Sequence, residues 1–255
     1  HEEVVVAFSG GVDSAVVAAS AHEALGDDAL VVTARGSIFP DTELERATRV
    51  AEEIGIRHEF VSIDPLASEE FRRNDAQRCY HCRTMQLDEI FEAANERGIE
   101  TVCDGTTASD LGDGHRPGLR TLEEYDVVSP LLENDLSKPD VRSLADDYGL
   151  SVADTPSNAC LATRIPTGQR VTKERLERIE RAEAFVREWG FSQFRVRDHE
   201  GLARIEVDPD ELDAALDPDF ARAARERFAD IGFEHVTIDL DGYRTGSVSP
   251  ARSDS

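Results

Sequence analysis

The chain has 255 residues, 40% of them hydrophobic, which is enough for one large or two modest cores; two domains are expected. Its formal net charge of −25 argues against a broad electrostatic footprint on RNA or DNA, because so acidic a surface repels phosphate backbones. No stretch approaches the ~20 apolar residues that cross a bilayer, so neither a membrane nor a nucleic-acid partner is expected.

No signal peptide opens the chain, and the expectation is a cytoplasmic protein. It begins without Met, so a few native residues are expected ahead of His1. Positive charge is almost all Arg, with Lys only at 138 and 173. Dense carboxylates keep a surface hydrated in high salt, so the charge reads as a halophilic habitat rather than a mechanism.

Val4 to Phe8 reads as a short, fully buried strand that ends in glycines. Residues 14–25 read as a helix, 29–33 as a second buried strand, and 41–54 as a second helix with an acidic first turn. A third strand is expected over 58–63, then a helix around 66–73, a Cys-bearing segment, and a helix from about 83 to 97. Thr101 to Asp104 makes a fourth strand. Strands alternating with helices imply an α/β fold with a Rossmann-like parallel sheet, whose ligands sit at the carboxyl ends of the strands. Positions 9–14, 33–37 and 104–113 fall at such ends.

Residues 105–120 are rich in Gly, Thr, Asp and Pro and read as a functional loop. A helix is expected over 137–149, and a second irregular segment over 151–170. After a boundary near 166–171 the pattern changes: helix 172–189, alternating strands 191–197 and 202–207, helical segments 209–230 and a last strand 233–240. The expected domains are therefore 1–168, a smaller α+β domain 169–247, and a polar, disordered tail 248–255.

Ser9-Gly10-Gly11-Val12-Asp13-Ser14 lies between a strand and a helix. Two glycines let the backbone turn tightly against phosphate oxygens, Ser9 and Ser14 add hydroxyls, and the helix presents its positive end. The Gly-Lys-Ser/Thr ending of a Walker loop is absent. This segment resembles the signature of the PP-loop ATP pyrophosphatases, which grip the pyrophosphate of ATP and transfer AMP to a substrate, usually with Mg²⁺. The resemblance implies that Ala34 and its neighbours meet the adenine and that Asp13 sits by the pyrophosphate and its metal.

Four cysteines are present: Cys79, Cys82, Cys103 and Cys160. Cys79-Tyr80-His81-Cys82 is expected just before a helix. Structural zinc would want a fourth ligand, a redox dithiol needs only the C-x-x-C pair, and three cysteines around a cluster leave one iron open. Cys103 lies among apolar strand neighbours and reads as core, which weakens the zinc reading.

The phosphate loop together with Asp104-Gly105-Thr106-Thr107-Ala108-Ser109-Asp110, Arg116-Pro117-Gly118 and Ala159-Cys160-Leu161-Ala162-Thr163-Arg164 resembles the LarE family. The resemblance covers essentially the whole chain. It implies an ATP-dependent sulfur transferase of nickel-pincer nucleotide biosynthesis, adenylating a carboxylate of pyridinium-3,5-biscarboxylic acid mononucleotide and replacing AMP with sulfur. One branch of the family sacrifices a single cysteine, matched by Cys160; the other adds a pair, matched by Cys79 and Cys82, and holds a 4Fe–4S cluster. The pattern here implies the cluster branch, and the resemblance implies a homo-oligomer, with a hexamer as the candidate assembly.

An anionic substrate needs a local cationic pocket in so acidic a protein, and Arg forks suit phosphate and carboxylate. Arg164 lies four residues after Cys160. Arg195 and Arg197 share one face of a strand, and the resemblance implies that they bind the substrate phosphate. Asp110 is the candidate for orienting substrate or metal, in competition with Asp113 and Ser109. A tRNA thiolase or an amidating synthetase is the alternative enzyme, and an ATP-binding sensor is the alternative of another class.

Overall fold

The computed structural model describes residues 2–112, 117–155 and 159–244. Residues 113–116 and the polar tail lie outside the described residues, and with them Asp113, Arg116 and the expected disordered segment. In chain order the first elements are β1 (Val4–Ala7), α1 (Val12–Leu25), β2 (Ala29–Arg35), α2 (Asp41–Ile54), β3 (Arg57–Ser62) and the short α3 (Glu69–Arg72). Then follow α4 (Arg78–Asn95), β4 (Val102–Cys103), three short helices α5 (Ala108–Gly112), α6 (Arg120–Glu124) and α7 (Pro130–Glu133), and α8 (Lys138–Asp147). The last are α9 (Lys173–Glu188), β5 (Phe194–His199), β6 (Leu202–Val207), α10 (Leu212–Ala215), α11 (Pro218–Ile231) and β7 (His235–Ile238).

The chain divides into two compact units. The first holds 1–65 and 77–158, the second 66–76 and 159–255. In the first unit four strands pair in parallel in the order β3-β2-β1-β4. This is the Rossmann-like sheet expected from the alternation of strands and helices. β1 is central, and its Val4, Val5, Val6 and Ala7 are all buried, as a parallel strand covered on both faces requires. β3 lies at the edge and mixes Arg57 and Glu59 with Phe60 and Val61.

The helix α1 buries Val12, Ser14 and the run Ala15 to Ala19, small side chains that let its backbone lie close to its neighbours. On α2, Ala47, Val50 and Ala51 face the core. It ends at Gly55 in the left-handed conformation, whose N–H caps Ala51 and Glu52. The Cys-bearing segment departs from expectation. Cys79 and Cys82 lie within the first two turns of α4 rather than ahead of it, because the i→i−4 ladder already begins with His81 N–H donating to Gln77 O at 3.1 Å. The loop 105–120 is likewise not all irregular, since α5 occupies part of it.

The second unit has a smaller sheet, β5 antiparallel to β6 and β6 parallel to β7. Its core stacks Phe191, Phe194, Phe220, Phe228 and Phe233 between the sheet and α9 and α11. Residues 66–76 belong to it through Asn74, which is fully buried at φ +57°. The Asn74 amide donates to Ile165 O, Pro166 O and Gln169 O at 3.3, 2.9 and 2.8 Å. Among the described residues no helix is long and apolar enough to cross a membrane.

Candidate active site: a phosphate loop and an arginine cluster

In the first unit, Ser9 to Ser14 connects β1 to α1 at the carboxyl end of the sheet. Gly10 adopts φ +67°, and a Cβ there would stand 2.6 Å from Ala47 Cα, so only glycine fits. Gly105, at the neighbouring strand end, approaches Ser14 as tightly: its Cβ would lie 2.6 Å from Ser14 N. Two glycines from separate strands thus bring backbone close around one loop.

The loop donors are turned on one another. Ser9 N–H donates to Ser14 Oγ at 3.2 Å and Gly11 N–H to Ser9 Oγ at 3.3 Å. Ser14 Oγ donates to Gly11 O at 3.1 Å. Gly11 is the N-cap of α1 and offers no side-chain cap, so the first amides of the helix keep their capacity for an anion.

Asp13 points its two oxygens to different surroundings. Oδ2 accepts from the Lys138 ammonium, whereas Oδ1 is buried with no hydrogen-bond partner among the described residues. An orphaned carboxylate oxygen beside a phosphate loop fits a divalent cation. Lys138 opens α8, and its own N–H donates to Ser109 Oγ at 3.1 Å, which fixes the start of that helix against α5.

At the end of β4 the buried Asp104 accepts from four groups: Thr106 N–H, Thr106 Oγ1, Ser129 Oγ and Arg83 Nη2, at 3.1, 2.6, 2.7 and 2.8 Å. It organises the strand end. Asp110 accepts from Thr107 N–H and Oγ1 at 2.9 and 2.8 Å, closing the first turn of α5. Ala34 is buried near the end of β2, paired with Val61.

Cys79 and Cys82 are one helical turn apart on α4, so they share a face. Cys79 is exposed, with Arg78 Nη2 donating to its sulfur at 3.8 Å; Cys82 is buried and accepts from Gln86 Nε2 at 3.1 Å. Donors directed at both sulfurs suit thiolate ligation. Cys103 lies in the core, where burial and then the Asp104 charge push its thiol up to about 11. Among the described residues no three His, Cys, Asp or Glu side chains converge as a metal-binding group.

The second unit carries Cys160 and the arginines. Cys160 is half-buried, and its carbonyl accepts from Thr163 N–H and Oγ1 at 3.0 and 2.7 Å and from Arg164 Nη1 at 3.1 Å. Arg164 is fully buried and forks onto Glu183 at 2.8 and 3.0 Å. Burial raises the Glu183 carboxyl, but the Arg164 charge and hydrogen bonds outweigh it and hold the group below the usual carboxylate range. Arg197 places Nε and Nη2 on Glu206 Oε2 at 3.0 and 2.7 Å and donates to Thr163 O at 3.1 Å. Arg195 lies opposite Glu206 across the β5–β6 ladder, with its guanidinium 5.0 Å over the Tyr243 ring. Burial and then the neighbouring Arg164 charge lower its pKa.

Four arginines (164, 195, 197 and 204) thus meet two glutamates (183 and 206) and, through Arg204, Asp239, leaving a small local excess of positive charge in an acidic protein. Glu183 and Glu206 were not legible as partners, because α9 and β6 approach β5 only in the folded unit. Lys138 was legible only through the scarcity of lysine.

Residues 1–94 match the NAD synthase family. An uncharacterized protein of Synechocystis sp. is 37% identical over 248 residues, covering 97% of this chain and 92% of that protein. The pyridinium-3,5-bisthiocarboxylic acid mononucleotide synthase of Lactiplantibacillus plantarum is 32% identical over 249 residues, 97% of this chain and 89% of the synthase. The chain belongs to the LarE family of that synthase. It is therefore a PP-loop enzyme and an ATP-dependent sulfurtransferase. The tRNA-specific 2-thiouridylase of Beijerinckia indica is 29% identical over 202 residues, but these cover only 65% of this chain and 47% of that protein. LarE-family likeness thus runs through both units, whereas the thiouridylase shares part of the chain.

Proposed function

We propose that this chain inserts sulfur into pyridinium-3,5-biscarboxylic acid mononucleotide. A substrate carboxylate oxygen attacks the α-phosphorus of ATP, pyrophosphate leaves, and an acyl adenylate forms. A sulfur nucleophile then attacks the acyl carbon and AMP leaves, giving a thiocarboxylate; the second carboxylate follows the same course. The observation that carries this reading is the uncapped loop Ser9–Ser14, in a chain alike along its whole length to a synthase of the bisthiocarboxylate.

In this reading the α1 amides, Ser9 and Ser14 hold the pyrophosphate, and Ala34 lies against the adenine. The orphaned Asp13 Oδ1 supports a bound Mg²⁺ there, which would neutralise the phosphates when present. Arg164, Arg195 and Arg197 carry the positive charge for the substrate phosphate and carboxylates. Asp110 orients substrate from the first turn of α5, which follows β4.

Cys79, Cys82 and Cys160 are assigned to a 4Fe–4S cluster, supported by the donors on Cys79 and Cys82. A cluster held by three thiolates keeps one iron open to a further sulfide. A homo-oligomer, a hexamer by family likeness, and adaptation to high salt complete the proposal; sizing in low and high salt tests both.

Pyrophosphate release that depends on the pyridinium dicarboxylate, with product gaining the mass of sulfur for oxygen, is the decisive assay. Release without the dicarboxylate, or none at all, sinks the reading. Mass spectrometry of the protein after turnover then separates the sulfur sources. Loss of sulfur from Cys160 means sacrifice, and intact cysteines with repeated product mean that the cysteines act as ligands. The thiouridylase reading is disfavoured by the net charge of −25, which repels RNA.

A further inference from the structure

Arg46 lies in the second turn of α2, beside Ala47, whose backbone walls the phosphate loop at Gly10. Its Nε donates to Gly10 O at 3.1 Å. Its Nη2 stands 3.5 Å from Glu43 Oε1 one turn earlier, and the two side chains are only 15% and 12% exposed. We propose that Arg46 is a positioning residue for the pyrophosphate grip: by holding the Gly10 carbonyl it aims the Gly11 N–H into the phosphate cradle. The proposal rests on ATP being the ligand of the loop.

The argument is one of peptide geometry. The Gly10–Gly11 peptide is trans and planar, so its C=O and N–H point in opposite directions. Fixing the carbonyl toward α2 fixes the N–H on the far side, where it donates to Ser9 Oγ at a long 3.3 Å. That weak bond is one a phosphate oxygen can replace. Gly10 has the conformational freedom of glycine, and Gly11 follows it directly, so the long bond to Ser9 Oγ by itself resists rotation of the intervening peptide plane only weakly. Arg46 supplies that resistance before the ligand arrives, and an ordering cost met in advance is gained as affinity.

Glu43 holds the guanidinium at its post. Its Oε1 is buried without a hydrogen bond among the described residues, so the ion pair with Arg46 is what balances its charge. The same turn of α2 therefore supplies both the wall at Gly10 and the donor that orients it.

A competing explanation is that Arg46 acts simply as positive charge near an anion. Two substitutions separate the two. Arg46→Gln places a donor, Nε2, on the carbon that carries Nε in arginine, and removes the charge. Arg46→Met preserves the length as far as the ε position and removes both. Binding of Mg-ATP and of Mg-pyrophosphate to the full chain is measured by calorimetry, alongside the thermal midpoint. Arg46→Met is expected to weaken both ligands about tenfold, and Arg46→Gln to stay within about threefold of the parent chain, as one hydrogen bond of orientation predicts.

Equal weakening of the two variants, or weakening of neither, overturns the proposal. If Arg46→Met does not fold, Arg46→Lys replaces it, keeping charge but with carbon at the ε position. Lys then must bind more weakly than Gln, and the reverse order overturns the proposal. A parent chain that binds neither ligand would overturn the ATP reading on which it rests, a result visible before any variant is made.

Discussion

Lys138 donates from its ammonium to the Asp13 carboxylate across 125 positions of sequence, joining the start of α8 to the phosphate loop. It is one of two lysines in a chain that otherwise uses arginine. A compact ammonium on a flexible stem can follow a phosphate oxygen, where a planar guanidinium fork is committed to one geometry. Arrival of ATP would draw Lys138 toward the phosphates and leave Asp13 to a metal ion.

Replacing Lys138 with Ala is therefore expected to weaken Mg-ATP about tenfold, a loss of about 1.4 kcal/mol, with Lys138→Arg recovering only part. Folding stability should change by less than about 1 kcal/mol, because the pair is about a third exposed and such pairs contribute little. Calorimetry with Mg-ATP and a denaturant melt separate the two effects. Unchanged ATP affinity in the Ala variant would remove Lys138 from the site.

Arg164 poses the opposite case. It and Glu183 are buried together at 0% and 4% side-chain exposure, and Glu183 also accepts from Val196 N–H at 3.1 Å. Arg164→Ala leaves a buried carboxylate without its counter-charge, an expected loss of about 3–5 kcal/mol. Adding Glu183→Gln should restore a large part of it, since the remaining amide is neutral. Denaturant midpoints of the single and double variants decide this, and equal stability of the two would mean that the pair is not coupled.

How far the sequence speaks differs between such residues. The helix α2 was legible to the residue, because an acidic first turn and Gly55 mark its two ends. The strand β6 was equally plain, since its alternation and flanking turn residues are local signals. The start of α4 was not, because Cys-Tyr-His-Cys carries neither a cap nor strong helix formers, and only the backbone ladder shows it. Asn74 illustrates a deeper limit: its three acceptors lie more than 90 positions away, so nothing near it in sequence says that 66–76 joins the second unit. In the candidate site, the loop Ser9–Ser14 stands out in the sequence because it is built from consecutive residues. Asp104 as an organiser of the strand end was not, since its donors come from Arg83, Thr106 and Ser129.

The four thiols should react in an order set by exposure and pKa. Cys79 is exposed, Cys160 half-buried and Cys82 buried; Cys103 is buried with its thiol pushed up to about 11. The thiolate is the reactive form, so Cys103 is expected to stay unmodified by an alkylating agent near pH 8 while Cys79 is modified first. Peptide mass spectrometry after timed alkylation of the metal-free protein checks this. Early modification of Cys103 would mean that β4 opens in the native state.

His58 gives a pH dependence whose sign follows from its partners. The Thr33 hydroxyl donates to Phe8 O at 2.8 Å, so its oxygen accepts from His58 Nε2–H, also at 2.8 Å. Phe8 stacks edge-on against the imidazole and leads directly into Ser9, so the neutral ring braces the start of the phosphate loop. Burial lowers the His58 pKa below its ordinary 6.5. The unfolded chain then takes up its proton first as pH falls, and the contribution of His58 to stability, complete above pH 6.5, is lost as the pH drops from 6.5 through the folded pKa. The parent chain is accordingly expected to lose stability relative to His58→Gln between neutral pH and pH 5, whereas carboxylate titration, common to both, cancels in the difference. His199, lowered by burial and then by the Arg204 charge, keeps its own share in both proteins. Denaturant midpoints of the two proteins across this range test the argument, and a difference that stays flat with pH would place the His58 proton outside the folding equilibrium.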